Sequence, residues 1–151
     1  MSATKNKSKA IQALENLSFH LKRVKYPNVP YLTRKTYRDD RSNDLTRCVI
    51  DWINFNGFQA ERINSIGKQI KTKGQIKWIP GNQTKGTADI SATNKGRSIK
   101  IEIKCSATGD HYQSKEQKQY QIMIERAGGL YIIVRDFQGF YEWYLKFMAD
   151  V

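Results

Sequence analysis

Between Thr87 and Lys104 the chain reads TADISATNKGRSIKIEIK, and two runs within it alternate apolar and polar residues. Ala88, Ile90 and Ala92 take every second position of the first, and Ile99, Ile101 and Ile103 of the second. A period of two is that of a strand with one buried face. Asn94-Lys95-Gly96-Arg97 between them carries turn chemistry, with Gly96 free to adopt a positive φ. The pattern predicts a hairpin centred on Lys95-Gly96 in which Ile90 meets Ile101 and Ala92 meets Ile99. A slip of one residue would set isoleucines against polar side chains, so the apolar pattern selects that register.

The remaining elements follow from the same kind of signal. Ile11, Leu14, Leu17 and Leu21 recur at helical spacing and predict a short amphipathic helix near residues 9–23. Tyr26-Pro27 to Val29-Pro30 reads as loop, because a residue before proline avoids the helical region. A second helix is predicted from a Ser42 or Asn43 cap to about Asn56, with Gly57 as its stop and Leu45, Val49, Trp52 and Ile53 as its apolar stripe. A first strand is expected over Gln59 to Asn64, and a short one over Gln75 to Ile79. Ser114-Lys115-Glu116-Gln117 fits a capping box that opens a helix to about Ala127, with Tyr120, Met123, Ile124 and Ala127 facing the core. Gly128-Gly129 ends it, Leu130 to Arg135 reads as a buried strand, and the aromatic-rich stretch 137–148 is a strand or helix covering the core. This order predicts an α/β fold with a mixed central sheet flanked by helices.

The 151 residues suit one domain with a real core. Charge changes the picture more than length does. Twenty-six Lys and Arg against fourteen Asp and Glu leave a formal net charge of +12, which argues for a polyanionic partner and says nothing about fold. Residues 1–41, from Lys5 onward, are especially basic and are read as an N-terminal extension to a domain over 42–151. Within it Arg34, Lys35 and Arg38 interleave with Tyr31 and Tyr37, as in an arm that tracks phosphates; a solubilising leader with its tyrosines packed on the body is the alternative. From Ser65 to Thr87 the chain carries Lys68, Lys71, Lys73, Lys77 and Lys85 and no acid. Lysines on glycine-rich loops suit phosphate positioning more than base reading; a solvated loop is the alternative. Gly86 is expected to let backbone approach a substrate closely. No apolar run approaches the roughly 20 residues that span a bilayer, and no secretory signal is visible, so a cytoplasmic protein without a membrane partner is expected. Cys48 and Cys105 are too few for a disulfide framework or a cysteine zinc site and read as small buried or half-buried fillers.

The candidate chemistry lies on the outer face of the predicted hairpin. Extending the ladder by one pair sets Asp89 opposite Glu102, where Cβ atoms are about 4.5–5.5 Å apart. Two carboxylates that close repel unless a proton or a cation sits between them. Lys104 projects from the same face. A solvated sheet face also alternates charge with isoleucine, but Ser or Thr would serve solubility without like charges facing each other.

Gly86-Thr87-Ala88-Asp89 followed by Ile101-Glu102-Ile103-Lys104 resembles the PD-(D/E)XK nuclease superfamily, whose motif is an acid on one strand and acid-x-lysine on the next. The helix after the lysine, with Gln117, and Ala127-Gly128-Gly129-Leu130-Tyr131-Ile132-Ile133 resemble its VRR-NUC and Holliday-junction-resolvase-like branch, as found in phage and bacterial enzymes. The resemblance runs from about Asp44 to Val134; where the family carries proline before its first acid, Ala88 stands here. It implies a restriction-endonuclease-like fold and Mg²⁺- or Mn²⁺-dependent hydrolysis of DNA, with no organic cofactor. Asp89, Glu102 and the backbone carbonyl of Ile103 would hold the ion, Lys104 would orient or deprotonate the water, and Gln117 would face the site. Asp44 matches the acid that the family often carries on its first helix near the metal, although a carboxylate in a first helical turn also simply complements the helix dipole. A junction resolvase would be a homodimer with two sites. Two rivals use the charge alone: a non-catalytic basic DNA-binding protein, whose binding persists in EDTA without cleavage, and a membrane-surface or protein-partner module.

Overall fold

The computed structural model describes residues 6–64, 67–81 and 84–151; Lys5 and Ser65 lie outside them. Its elements run α1 (Lys9–Lys25), α2 (Ser42–Phe55), β1 (Gln59–Arg62), β2 (Lys68–Thr72), β3 (Gln75–Ile79), β4 (Ile90–Asn94), β5 (Arg97–Ile103), α3 (Lys115–Arg126), β6 (Leu130–Val134) and α4 (Phe137–Asp150). The central sheet has the order β1-β4-β5-β6. Its first two pairings are antiparallel and β5 pairs β6 in parallel, which makes it mixed.

The hairpin forms in the register that the apolar pattern selects: Ile90 faces Ile101, Ala92 faces Ile99 and Asn94 faces Arg97. Lys95 and Gly96 both take positive φ, 48° and 76°, the primed turn whose twist matches its strands. Ile90, Ala92, Ile99, Ile101 and Ile103 point into one core with α1, α2 and α4. Trp52 of α2 sits edge-on to Phe137, Tyr141 and Tyr144 of α4, with ring centroids 5.2–6.3 Å apart. The aromatic stretch is therefore a helix, capped by Asp136, whose side chain accepts from the Gly139 N–H.

Packing runs across residue 41. Ala10, Ile11 and Leu14 of α1 and the Tyr37 ring are buried in the same core as the sheet, and the buried Glu15 carboxylate accepts from the Tyr37 N–H and from Lys7. The tyrosine at 37 is thus packed on the body, whereas Tyr31 is exposed. The cap of α2 differs from the expected one: Arg41 is the N-cap, without a side-chain hydrogen bond, and Ser42 already lies in the helix, where its carbonyl accepts from Thr46. The strand expected over 59–64 ends at Arg62. The lysine-rich stretch holds one strand more than expected, because β2 pairs β3 in a separate two-stranded ribbon. α3 buries none of its residues fully. Met123 and Ala127, expected to face the core, are exposed, because α3 covers the opposite face of the sheet and turns a polar edge toward it. Among the described residues no helix is long and apolar enough to cross a membrane.

Candidate functional site

Alternation along β5 decides which side chains reach that opposite face. Ile99, Ile101 and Ile103 go to the core, so Lys100 and Glu102 point away from it. Glu102 is nonetheless only 2% exposed, because α3 lies over it. Gln117 Nε2 donates to Glu102 Oε1 at 2.6 Å. The same Gln117 closes the capping box of α3: its Oε1 accepts from the Ser114 N–H, while its own N–H donates to the Ser114 hydroxyl. Capping and site contact, which compete as readings of the sequence, are both made by this one side chain. Its amide is locked by the cap and can present only its NH₂ to the carboxylate.

Gly86 explains how α3 comes so close. Its φ is +74°, and a Cβ there would lie 2.3 Å from the backbone carbon of Glu116 and 2.6 Å from the Gln117 nitrogen. The close approach expected of this glycine is made to the first turn of α3. Gly86→Ala combines a strained left-handed backbone with a backbone clash, and a loss of roughly 2 kcal/mol or more is expected. A urea midpoint equal to that of the wild type would contradict this.

Asp89 sits one residue before β4. The ladder that ends at Ile90–Ile101 does not continue regularly to an Asp89–Glu102 pair, because the Asp89 N–H donates to the Ile101 carbonyl at 3.1 Å. The strand is out of step here as in a bulge, and the Asp89 carboxylate accepts from the Ile103 N–H at 2.8 Å. The N–H and C=O of one residue leave a strand on the same edge, so the Ile103 carbonyl also faces the Asp89 side. The two acids are close enough that the charge on Asp89 helps to raise the pKa of Glu102.

Lys104 continues the face and is 7% exposed. Its Nζ lies 3.5 Å from Glu102 Oε1 and 3.4 Å from Asp110 Oδ1. Asp110 comes from the loop after β5, and nothing periodic in the sequence marks it; only this contact brings it into view. Arg62 of β1 is a second addition. It donates to Asn43 at 2.9 Å, and its charge opposes the rise in the Asp89 pKa.

Burial is the main reason that both carboxyl groups hold their protons more tightly than usual. Asp89 is shifted upward, with the Ile103 hydrogen bond and Lys104 opposing. Glu102 is pushed up to about 7, first by burial and then by Asp89, against the pull of Lys104. Its Oε2 is buried and has no hydrogen-bond partner among the described residues. An orphaned carboxylate oxygen beside a second acid is a donor set that suits a hard divalent cation. Among the described residues no group of three or more Asp, Glu, His or Cys side chains is placed to hold an ion. The fit is therefore to an ion such as Mg²⁺, which takes one or two carboxylates and leaves its other positions to water and phosphate.

The other candidates fall in three places. Asp44 stands in the first turn of α2, 3.9 Å from Arg38, and none of its described contacts is with Asp89 or Glu102. Arg34, Lys35 and Arg38 have partners within the fold. Arg34 lies over the Phe19 ring and donates to Asn16, Lys35 pairs with Asp51, and Arg38 grips Asp40 with two 2.6 Å bonds. Lys68, Lys71 and Lys77 lie on the β2–β3 ribbon, Lys73 in its turn, and Lys85 in the turn before Asp89. Among the described residues none of these five is ion-paired. No protein-family model, no curated protein and no solved structure matches this chain, so its chemistry follows from its own residues.

Proposed function

We propose that this chain is a metal-dependent nuclease of the PD-(D/E)XK type that hydrolyses phosphodiester bonds in DNA. The observation that carries the reading is Glu102. Its carboxylate is withdrawn from water, one oxygen is held by Gln117 and Lys104, and the other has no partner among the described residues. A sheet face that needed only to be soluble would not retain so costly a group. The resemblance to the superfamily is supported by the same residues, since an acid before one strand and acid-x-lysine on the next stand beside a glutamine from the following helix. The mixed sheet with the acid-x-lysine strand inside it favours a restriction-endonuclease-like assignment.

Asp89 and Glu102 are the residues that would hold Mg²⁺ or Mn²⁺. When bound, the ion supplies Lewis acidity toward a water and toward the scissile phosphate. The chain's own groups do the rest. The Ile103 N–H fixes the Asp89 carboxylate, and the locked Gln117 amide fixes that of Glu102. The Lys104 ammonium is held between two carboxylates, where it can bind a non-bridging phosphate oxygen and orient the attacking water. The excess of positive charge draws the polyanion in.

The test is a panel of linear, nicked, flapped and four-way DNA incubated with Mg²⁺ or Mn²⁺. Cleavage of at least one form is expected, abolished by EDTA and by Asp89→Ala. Cleavage that survives both would refute the proposal. Salt-sensitive binding of every form with no cleavage of any would favour a non-catalytic basic DNA-binding protein.

A further inference from the structure

The β2–β3 ribbon has no buried face: every residue of both strands is exposed. Two strands alone are marginal in water, yet this pair turns large apolar side chains outward. Ile76 is 70% and Trp78 62% exposed. The register sets a lysine opposite an isoleucine three times, at Lys68–Ile79, Ile70–Lys77 and Lys71–Ile76. Lys73 adds a further charge at the turn, where its φ is 49°. No acid occurs between Arg62 and Ala88 to offset these charges.

Trp78 is positioned and not merely exposed. A Cβ on Gly67 would lie 2.4 Å from Trp78 Cζ2, so the indole rests on the glycine backbone. It is backed there and open elsewhere. In sequence the ribbon lies between two points that meet at the candidate site: the Ile63 N–H, just after β1, donates to the Asp89 carbonyl at 2.8 Å, and Asp89 follows the end of β3 by ten residues.

We propose that the ribbon holds an unpaired stretch of nucleic acid, with Trp78 stacked on a base and Lys71, which shares its face of the ribbon, and Lys73 at the turn on the flanking phosphates. This rests on the nuclease reading of the site at Asp89 and Glu102 and narrows its substrate to DNA with a single-stranded segment. Duplex DNA presents phosphates and base edges to a basic ribbon but hides the faces of its bases. An outward indole with Lys71 on its own face and Lys73 at the turn matches the combination that grips single strands, a charged track with an aromatic platform.

The test is fluorescence anisotropy with a labelled single strand of about 16 nucleotides and the matching duplex, both in EDTA. The wild type is expected to bind the single strand more tightly. Trp78→Ala is expected to weaken single-strand binding about tenfold, the size of one lost stack, and to leave the duplex within about twofold. Trp78→Phe, which keeps an aromatic face, should retain most of the affinity. Lys71→Ala should reduce the salt slope for the single strand by about 0.7. Unchanged single-strand affinity in Trp78→Ala, equal weakening on both probes, or a wild-type preference for duplex would each overturn the proposal. Cleavage plays no part in this readout. Trp78-dependent single-strand binding by a protein that cuts nothing would remove the nuclease reading and leave the ribbon's role standing, and cleavage with no such dependence would do the reverse.

Discussion

Glu102→Gln is expected to leave the protein inactive and, in metal-free buffer at pH 8, more stable than the wild type. The sign follows from the raised pKa. Glu102 titrates at about 7 in the fold against an ordinary 4.5, so the folded state binds its proton more tightly than the unfolded chain does. Below pH 4.5 both states are protonated and the group carries no penalty. As pH rises from 4.5 to 7 the fold must either keep a proton that the unfolded chain releases or bury a charge, and stability falls. Above 7 the penalty is complete, at up to about 3 kcal/mol for a shift of this size. Glutamine removes it and can still accept from Gln117. Lys104 loses one of its two carboxylate neighbours, which offsets part of the gain, so a net rise of about 1–2 kcal/mol is expected. Urea midpoints at pH 5 and pH 8 check this. The wild type should lose stability between them and the variant much less; equal losses in both would show that Glu102 is not the buried acid described here. A gain in stability that removes activity marks a residue retained for function.

Asp89 is expected to separate folding from activity in a different way. Asp89→Ala leaves the Ile103 N–H without its acceptor, which costs roughly 1–3 kcal/mol. Asp89→Asn keeps an oxygen at that position, so its stability should stay within about 1 kcal/mol of the wild type. Both variants lose a charged ligand for the cation, and both should cut DNA at least about a thousandfold more slowly, the several kcal/mol that metal-assisted charge stabilisation supplies. Cleavage by Asp89→Asn at the wild-type rate would mean that the carboxylate serves the hairpin alone.

The parts of this fold legible in the sequence are those whose burial leaves a period. The β4–β5 register follows from isoleucines at every second position and α2 from its apolar stripe, while β6 shows as a near-continuous apolar run. β2 has no such mark: Lys68–Thr72 carries a single isoleucine, and a ribbon with no buried face imposes no alternation. The inward face of α3 is misread for a related reason. That helix covers a polar site, so Gln117 faces inward while Met123 faces water. Counting residues across the hairpin places Asp89 opposite Glu102, but the counting assumes a regular ladder, and the backbone leaves it at Asp89. The Asp89 side chain turns to the Ile103 N–H and still lies close enough for its charge to raise the pKa of Glu102. Asp110 reaches Lys104 from a loop, where proximity is a product of tertiary structure only.

The most direct test of the site is calorimetric titration of the metal-free protein with Mg²⁺ and with Mn²⁺ at pH 7.5, in buffers of different ionisation enthalpy. Expected is saturable binding that releases protons, because carboxyl groups with raised pKa values must lose them to become ligands, with binding abolished in Glu102→Gln and Asp89→Asn. Binding of equal strength in those variants, or no saturable binding of either ion by the wild type, would contradict a divalent-cation site at Asp89 and Glu102.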